Sequence, residues 1–311
     1  MSSDQPLVSM VVTGFNQEAY VLETLRSIEA QTYPNVEIVV VDGGGSDRMG
    51  ELAKEFLAQS RFKGTFHRQA SNEGMTADRQ RGFELARGEL VCFLDADDLA
   101  FVDRAERQVR QLLDNDCDAV YGNLVRLYDD VGRVPYQGAP AQSADAWDPE
   151  LFIENLVCHR GPMAQGGLFR RSLLQEIGGI DQGFEMNDWP FMIEAARRAK
   201  RMLLSRDAVF YYRIHAGGHH VKHLEESMRW QVKAAQHYLP PRLARRSIAV
   251  SQRVVANEYL RRGASRQALR WFAKAAAHGR QPKAVEFLGA ALGSAVRGRL
   301  ARGKAAPGGK A

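Results

Sequence analysis

Asp95-Ala96-Asp97 places two carboxylates one residue apart, just past the apolar run Leu90-Val91-Cys92-Phe93-Leu94. Two carboxylates so spaced can grip one divalent cation through oxygen, and Mn2+ or Mg2+ suits because such ions keep positions open for substrate phosphates. The cation would neutralise a departing diphosphate as a Lewis acid. The plainer reading is a loop of capping aspartates, with Asp98 the natural helix cap. A second cluster runs from Asp42 through Gly43-Gly44-Gly45 to Asp47, where glycines let backbone approach a ligand and amides can face an anion. Thr13-Gly14-Phe15-Asn16 is a weaker signal of the same kind, and Arg79 is placed to reach a phosphate from the first turn of a helix.

In Glu185-Met186-Asn187-Asp188-Trp189-Pro190, the proline suits a first helical turn, so Asn187 or Asp188 should cap that helix. A carboxylate held there can face a cleft and take a proton from an attacking hydroxyl. His215 follows an apolar run and is a candidate ligand for a metal or a diphosphate. His219, His220 and His223 come close behind, but with irregular spacing and no cysteine they do not read as a zinc site; a loop over the cleft is expected.

The elements that must hold these groups follow from the pattern. Leu7–Val12 and Val36–Val41 read as buried strands, Phe62–Arg68 as a third, and Glu89–Leu94 as a fourth. Between them lie helices: one capped by Asn16, one carrying Leu52, Phe56 and Leu57 on one face, and one from Thr76 to Arg87. Strands alternating with helices imply βαβ units in a mostly parallel sheet flanked by helices. Such sheets bind ligands at the carboxyl ends of their strands, where all three polar clusters fall. A helix and strand are expected over 109–121, a loop or weak hairpin over 129–147, helices over 151–156, 173–177 and 189–199, and a late strand over 208–212. Beyond His223 only helical pattern remains. The expected division is 1–223, then an α-helical extension over 224–302 with hairpin-like segments, then a disordered Gly/Ala/Lys tail over 303–311.

Composition sets outer bounds. The 311 residues are 45% hydrophobic and 25% charged, which supports a sizeable core, and a net charge of +5 falls short of a nucleic-acid-binding chain. No nucleic-acid partner is expected. The basic excess gathers toward the C-terminus, where it suits peripheral contact with an anionic membrane surface. Three scattered cysteines argue for a reducing compartment, and no apolar run approaches the ~20 residues of a membrane span. A cytoplasmic protein is expected, possible contact being at the inner face of the membrane.

Taken in order, the segments resemble the family 2 glycosyltransferases, an inverting group with the GT-A fold. Val8–Asn16 is similar to that family's opening strand, and Ser27-Ile28-Glu29-Ala30-Gln31-Thr32-Tyr33-Pro34 matches its Ser-(x)3-Gln-Thr-Tyr-Pro signature. Glu37–Gly44 looks like the base-binding strand, and Gly74–Gly82 is similar to Gly-x-Ser-x-Ala-Arg-Asn-x-Gly. Ala86-Arg87-Gly88-Glu89 and Phe93–Asp98 match the approach to a DxD motif and the motif itself.

The resemblance implies an enzyme that moves a sugar from a nucleotide-diphosphate donor, a UDP-sugar above all, to an acceptor hydroxyl. The acceptor would be a glycan, lipid-linked or protein species in polysaccharide, lipopolysaccharide or glycan synthesis. Asp97 would be the main metal ligand, with Asp95 and His215 beside it, and Asp188 the catalytic base. Thr13, Asp42 and Arg79 would hold the nucleotide, with Phe15, Asn16, Gly43, Asp95 and Ala96 completing the donor contacts.

Three departures from the family pattern matter for the site: Gly43 where a second aspartate is common, Gln80 where Asn follows Arg, and Asn187 where an acidic residue precedes the base. A Rossmann oxidoreductase is disfavoured because no GxGxxG follows the first strand, and a nucleotidyltransferase gives Asp188 no task. The other reading is a non-catalytic binding module with a helical partner-binding end.

Overall fold

The structure, a computed structural model, describes residues 5–129, 132–135, 142–180, 183–184, 188–215, 218 and 224–279. The residues form two compact units, one within Met1–Leu156 and Arg160–Val221, the other within Val157–His159 and Lys222–Ala311. Asn187, the three histidines after His215 and the 303–311 tail lie outside the described residues.

The first unit is built on a nine-stranded sheet. Strands β1 (Val8–Gly14), β2 (Val36–Asp42), β3 (Lys63–Arg68) and β4 (Leu90–Asp95) come first, with helices α1 (Val21–Glu29), α2 (Met49–Leu57) and α3 (Met75–Leu85) between them. Next come β5 (Leu99–Ala100), α4 (Arg104–Asp114), β6 (Ala119–Tyr128) and β7 (Gly132–Pro135). Helix α5 (Pro149–Val157), β8 (Gly167–Arg170), α6 (Arg171–Glu176), α7 (Asp188–Arg198) and β9 (Met202–Ile214) follow. The sheet order is β3-β2-β1-β4-β8-β6-β9-β5, with β7 on β6. Strands β1 to β4 are mutually parallel and β6 is parallel to β9, while β8 enters antiparallel between β4 and β6.

Burial on both faces explains why the central strands read as continuous apolar runs rather than alternating ones. Met10, Val12, Ile38 and Val40 pack into a core with Val21, Leu25 and Ile28 of α1 and Met49 and Ala53 of α2. Val11 and Val41 turn the other way, toward α3, and Gly82 is what lets that helix approach. A Cβ on Gly82 would stand 2.3 Å from Cγ1 of Val11. Gly82→Ala is therefore expected to cost about 1–3 kcal/mol by overpacking, read as a lower urea midpoint. An unchanged midpoint would show that α3 rides further from β1.

Two expected caps are corrected. Asn16 does not cap α1, whose N-cap is Tyr20; it adopts a left-handed φ of 55° and its side chain turns to the loop after β2. Thr76 does not cap α3, whose N-cap is Gly74; its hydroxyl donates to the Phe184 carbonyl at 2.6 Å. In both cases a tertiary acceptor or donor outcompetes the local backbone.

The second unit is helical over its described residues: α8 (Leu224–Tyr238), α9 (Pro241–Arg261) and α10 (Ser265–Gly279). Gly263, at φ 71°, lets α9 turn back into α10 as a hairpin, and Ala256, Ala268 and Phe272 form its small core. Among the described residues no helix is long and apolar enough to cross a membrane. Cys92, Cys117 and Cys158 are all buried free thiols.

Candidate active site

Strand register sets the site. Gly14 pairs with Asp42 and Thr13 pairs with Asp95, so the carboxyl ends of β1, β2 and β4 finish side by side. The predicted clusters therefore meet at one edge of the sheet.

Asp95 is a hub. Its Oδ1 accepts from Arg79 Nη2 at 2.9 Å and its Oδ2 from Gln165 Nε2 at 2.7 Å. The other arm of Arg79, Nη1, reaches Asp188 Oδ1 at 2.5 Å. One guanidinium, only 3% exposed, thus ties the end of β4 to the start of α7. Burial works against its charge, but Asp95 and Asp188 together more than offset this and raise its pKa. Asp97 Oδ2 lies 3.0 Å from His215 Nε2, and the His215 ring packs on Tyr20 with centroids 4.6 Å apart. His215 directly follows β9 and its side chain is 6% exposed, so it is fixed there rather than carried on a loose loop.

Asp98 is not a helix cap, because the short strand β5 follows it. Its Oδ1 accepts the Arg213 amide at 2.9 Å, and its Oδ2 is buried with no hydrogen-bond partner. Burial holds its carboxyl well above the ordinary value, and Asp97 and Asp95 push the same way. Ligand oxygens of Asp95, Asp97 and Asp98 lie within 4.8 Å of one another. At an effective dielectric of about 20, two like charges about 4 Å apart repel by roughly 4 kcal/mol. Three converging carboxylates, an adjacent imidazole and an orphaned buried oxygen fit a divalent cation with hard-ligand preference. Arg213 braces this turn, donating from Nε to the Asp97 carbonyl at 2.8 Å.

The glycine-rich loop differs from the expectation. Gly44 and Gly45 donate their amides to Asp42 Oδ1, Ser46 and Asp47 donate theirs to Asn16 Oδ1, and Gly43 donates to the Gly14 carbonyl. These amides are committed within the chain, so the loop is not an anion cradle in this state. Asp42 itself is 1% exposed, with Oδ2 3.4 Å from Arg68 Nη1. Ala96 is buried, its N–H on the Thr13 carbonyl and its carbonyl accepting from the Thr24 hydroxyl, so both its backbone groups are bonded within the chain and it spaces the two carboxylates. Thr13 is buried, while Phe15, the residue after β1, is 41% exposed.

Three participants were not legible in the sequence. Gln165 sits in a one-turn helix before β8, and nothing local marks it. Asp98 read as a cap. Arg104, wholly buried, donates to the Gln165 and Gly167 carbonyls and so supports the turn that carries Gln165. Burial lowers its pKa.

Fold and site together define the class: a glycosyltransferase of GT-A architecture with an aspartate cluster fitted to a divalent cation. The sequence pattern of glycosyl transferase family 2 matches residues 9–178, more than half of the chain. The chain belongs to that family.

GlyG, a glycosyltransferase of Streptococcus pneumoniae, is 33% identical over 234 residues, covering 72% of this chain and 75% of its own. EpsH of Bacillus subtilis is 29% identical over 225 residues, covering 68% of this chain and 62% of its own, so the chain spans less than two thirds of that relative. Among solved structures, S. aureus TarS 1–349 in complex with UDP-GlcNAc superposes with a TM-score of 0.62 at 19% identity, covering 91% of this chain and 83% of that one. Mannosyltransferase PcManGT from Pyrobaculum calidifontis, in complex with GDP-Man and Mn2+, gives 0.62 at 20% identity, covering 94% and 81%. At these identities the likeness is one of fold.

Proposed function

We propose that the chain transfers a sugar from a nucleoside-diphosphate donor, a UDP-sugar foremost, to an acceptor hydroxyl with inversion. The observation that carries this reading is the single Arg79 guanidinium spanning Asp95 and Asp188. That bridge supports the reading because it ties a carboxylate of the aspartate cluster to the base candidate through one side chain.

Asp97, Asp95 and Asp98, with His215 beside them, would hold the cation, Mn2+ or Mg2+. When bound, such a cation supplies Lewis-acid neutralisation of the diphosphate. Asp188 Oδ1 is engaged by Arg79, and its carboxylate accepts the proton of the acceptor hydroxyl. The acceptor oxygen bonds to the anomeric carbon as the bond from that carbon to the diphosphate oxygen breaks in line, so configuration inverts. Phe15 offers a face for the base or ribose, and Thr13, Asn16, Asp42 and Gly43 shape the pocket floor rather than bond the ligand through their loop amides.

The helical unit carries Arg242, Arg245 and Arg246 at the start of α9 and Arg266 and Arg270 on α10. That charge suits an acceptor presented at an anionic membrane face, lipid-linked or part of a growing polymer. Division of labour between a catalytic domain over 1–223 and a helical region over 224–302 follows from this reading.

The test is thermal stabilisation by UDP, GDP, CMP and dTDP, with and without Mn2+, in wild type and Asp97→Ala. A ligand that binds only the folded chain raises its melting temperature. One diphosphate should stabilise the wild type only with metal, and Asp97→Ala should lose the effect. If no nucleotide stabilises the wild type, the donor site is not a working one and a non-catalytic binding module takes its place.

A further inference from the structure

Asp78 is a buried carboxylate for which the reaction above gives no task. It lies in the first turn of α3, is 3% exposed, and its Oδ1 is buried without a hydrogen-bond partner. Leaving a buried polar atom unsatisfied is costly, so a native chain keeps one where something else satisfies it.

Gly43 shows where the carboxylate points. A Cβ built on Gly43 would stand 2.5 Å from Asp78 Oδ2, 3.3 Å from its Cγ and 3.4 Å from its Oδ1, and these are the three nearest atoms. The Asp78 carboxyl therefore occupies the space that a side chain at position 43 would fill. Gly43 is not among the residues with positive φ, so its backbone tolerates a side chain once that space is cleared. Gly43 stands where a second aspartate is common in the resembling family, and Asp78 stands where the pattern Gly-x-Ser-x-Ala-Arg-Asn-x-Gly has alanine.

Asp42 faces elsewhere. Its Oδ1 holds the Gly44 and Gly45 amides. Its Oδ2, like Asp78 Oδ1, is buried without a hydrogen bond, but it lies 3.4 Å from Arg68 Nη1 and 2.5 Å from where a Cβ on Gly50 would stand, on the α2 side. Of the two carboxylates, Asp78 is the one that faces position 43.

We propose that Asp78 reads the donor's nucleobase, accepting the ring N–H that uracil carries at N3 and guanine at N1 and that cytosine and adenine lack. The proposal rests on the nucleoside-diphosphate reading of the cleft. Its electrostatics agree: burial pushes the Asp78 carboxyl up to about 7, a hydrogen bond from Gln69 draws it part of the way back, Asp42 and Glu73 raise it and Arg79 lowers it. A ring N–H aimed at it stabilises the ionised form that burial disfavours, whereas a bare ring nitrogen sets a lone pair against the carboxylate.

The test is calorimetric titration of the whole chain with UDP, GDP, CDP and ADP in Mn2+. UDP or GDP should bind more tightly than CDP and ADP by about 10- to 100-fold, the range of a hydrogen bond to a charged group. Asp78→Ala should bring the preferred nucleotide down to the level of CDP, with CDP itself unmoved. Gly43→Asp combined with Asp78→Ala should restore the preference, because the new carboxylate grows into the space the old one left.

A base preference that survives Asp78→Ala overturns the assignment, as does equal binding of all four nucleotides by the wild type. Should Asp78→Ala not fold, Asp78→Asn keeps the shape and removes the charge; it must weaken the preference several-fold, and an unchanged preference overturns the assignment equally. Failure of all four nucleotides to bind the wild type is a different result, which removes the donor reading itself and the assignment with it.

Discussion

Asp188→Asn is expected to lower kcat by about 10²- to 10⁴-fold, the range for losing a positioned general base, with little change in donor KM. The argument is geometric. Asp188 opens α7, where the helix holds its backbone, and Arg79 Nη1 fixes Oδ1 at 2.5 Å. Asparagine keeps the shape, and its amide oxygen still accepts from Arg79, so the bridge to Asp95 survives. What the amide cannot do is take up the acceptor's proton. Steady-state kinetics with the donor identified by thermal shift decide the matter. A near-normal melting temperature with collapsed kcat assigns the base; a kcat within threefold of wild type means another group takes the proton, and the inverting mechanism drawn above loses its base.

How much of this site was legible in the sequence depends on how local each determinant is. Asp95 and Asp97 were legible because the strand that carries them is contiguous with them: a buried apolar run ending in carboxylates can only deliver them to a sheet edge. Asp188 was legible through Pro190, which fixes a first helical turn two residues on. Asn16 and Thr76 misled for a shared reason. Each had a plausible cap to make nearby, and each found a better partner far away, the 46–47 amides and the Phe184 carbonyl.

The glycine-rich loop shows the same limit. The sequence says that amides are bare of side chains but not which oxygen they will meet, and here Asp42 and Asn16 take them. Gln165 gave no signal because its role exists only once β8 inserts beside β4. That antiparallel insertion, made by a four-residue strand, is also the part of the topology that periodicity missed.

Arg79→Met is expected to destabilise the chain by about 3 kcal/mol and to make that loss depend on divalent cation. Methionine retains most of the buried stem but leaves Asp95 and Asp188 without their shared counter-charge. Removing one partner of a buried ion pair costs about 3–5 kcal/mol. The lower end applies because the Asp95 and Asp188 side chains are 24% and 30% exposed and recover part of their hydration.

The consequence for metal binding has a definite sign. With the guanidinium gone, Asp95 adds its full charge to a cluster already containing Asp97 and Asp98 within 4.8 Å. The repulsion among them rises, and so does the gain from a cation that relieves it. Mn2+ should therefore raise the urea midpoint of Arg79→Met by more than it raises that of the wild type, even as turnover falls. Stabilisation by a bound ligand grows with its affinity for the folded chain, so the difference between the two midpoint shifts measures how strongly Arg79 opposes the metal. Equal shifts in the two proteins would mean that the cation sits beyond the reach of Asp95. The ligand set would then contract to Asp97, Asp98 and His215, with Asp95 kept to hold Arg79 and Gln165 in place.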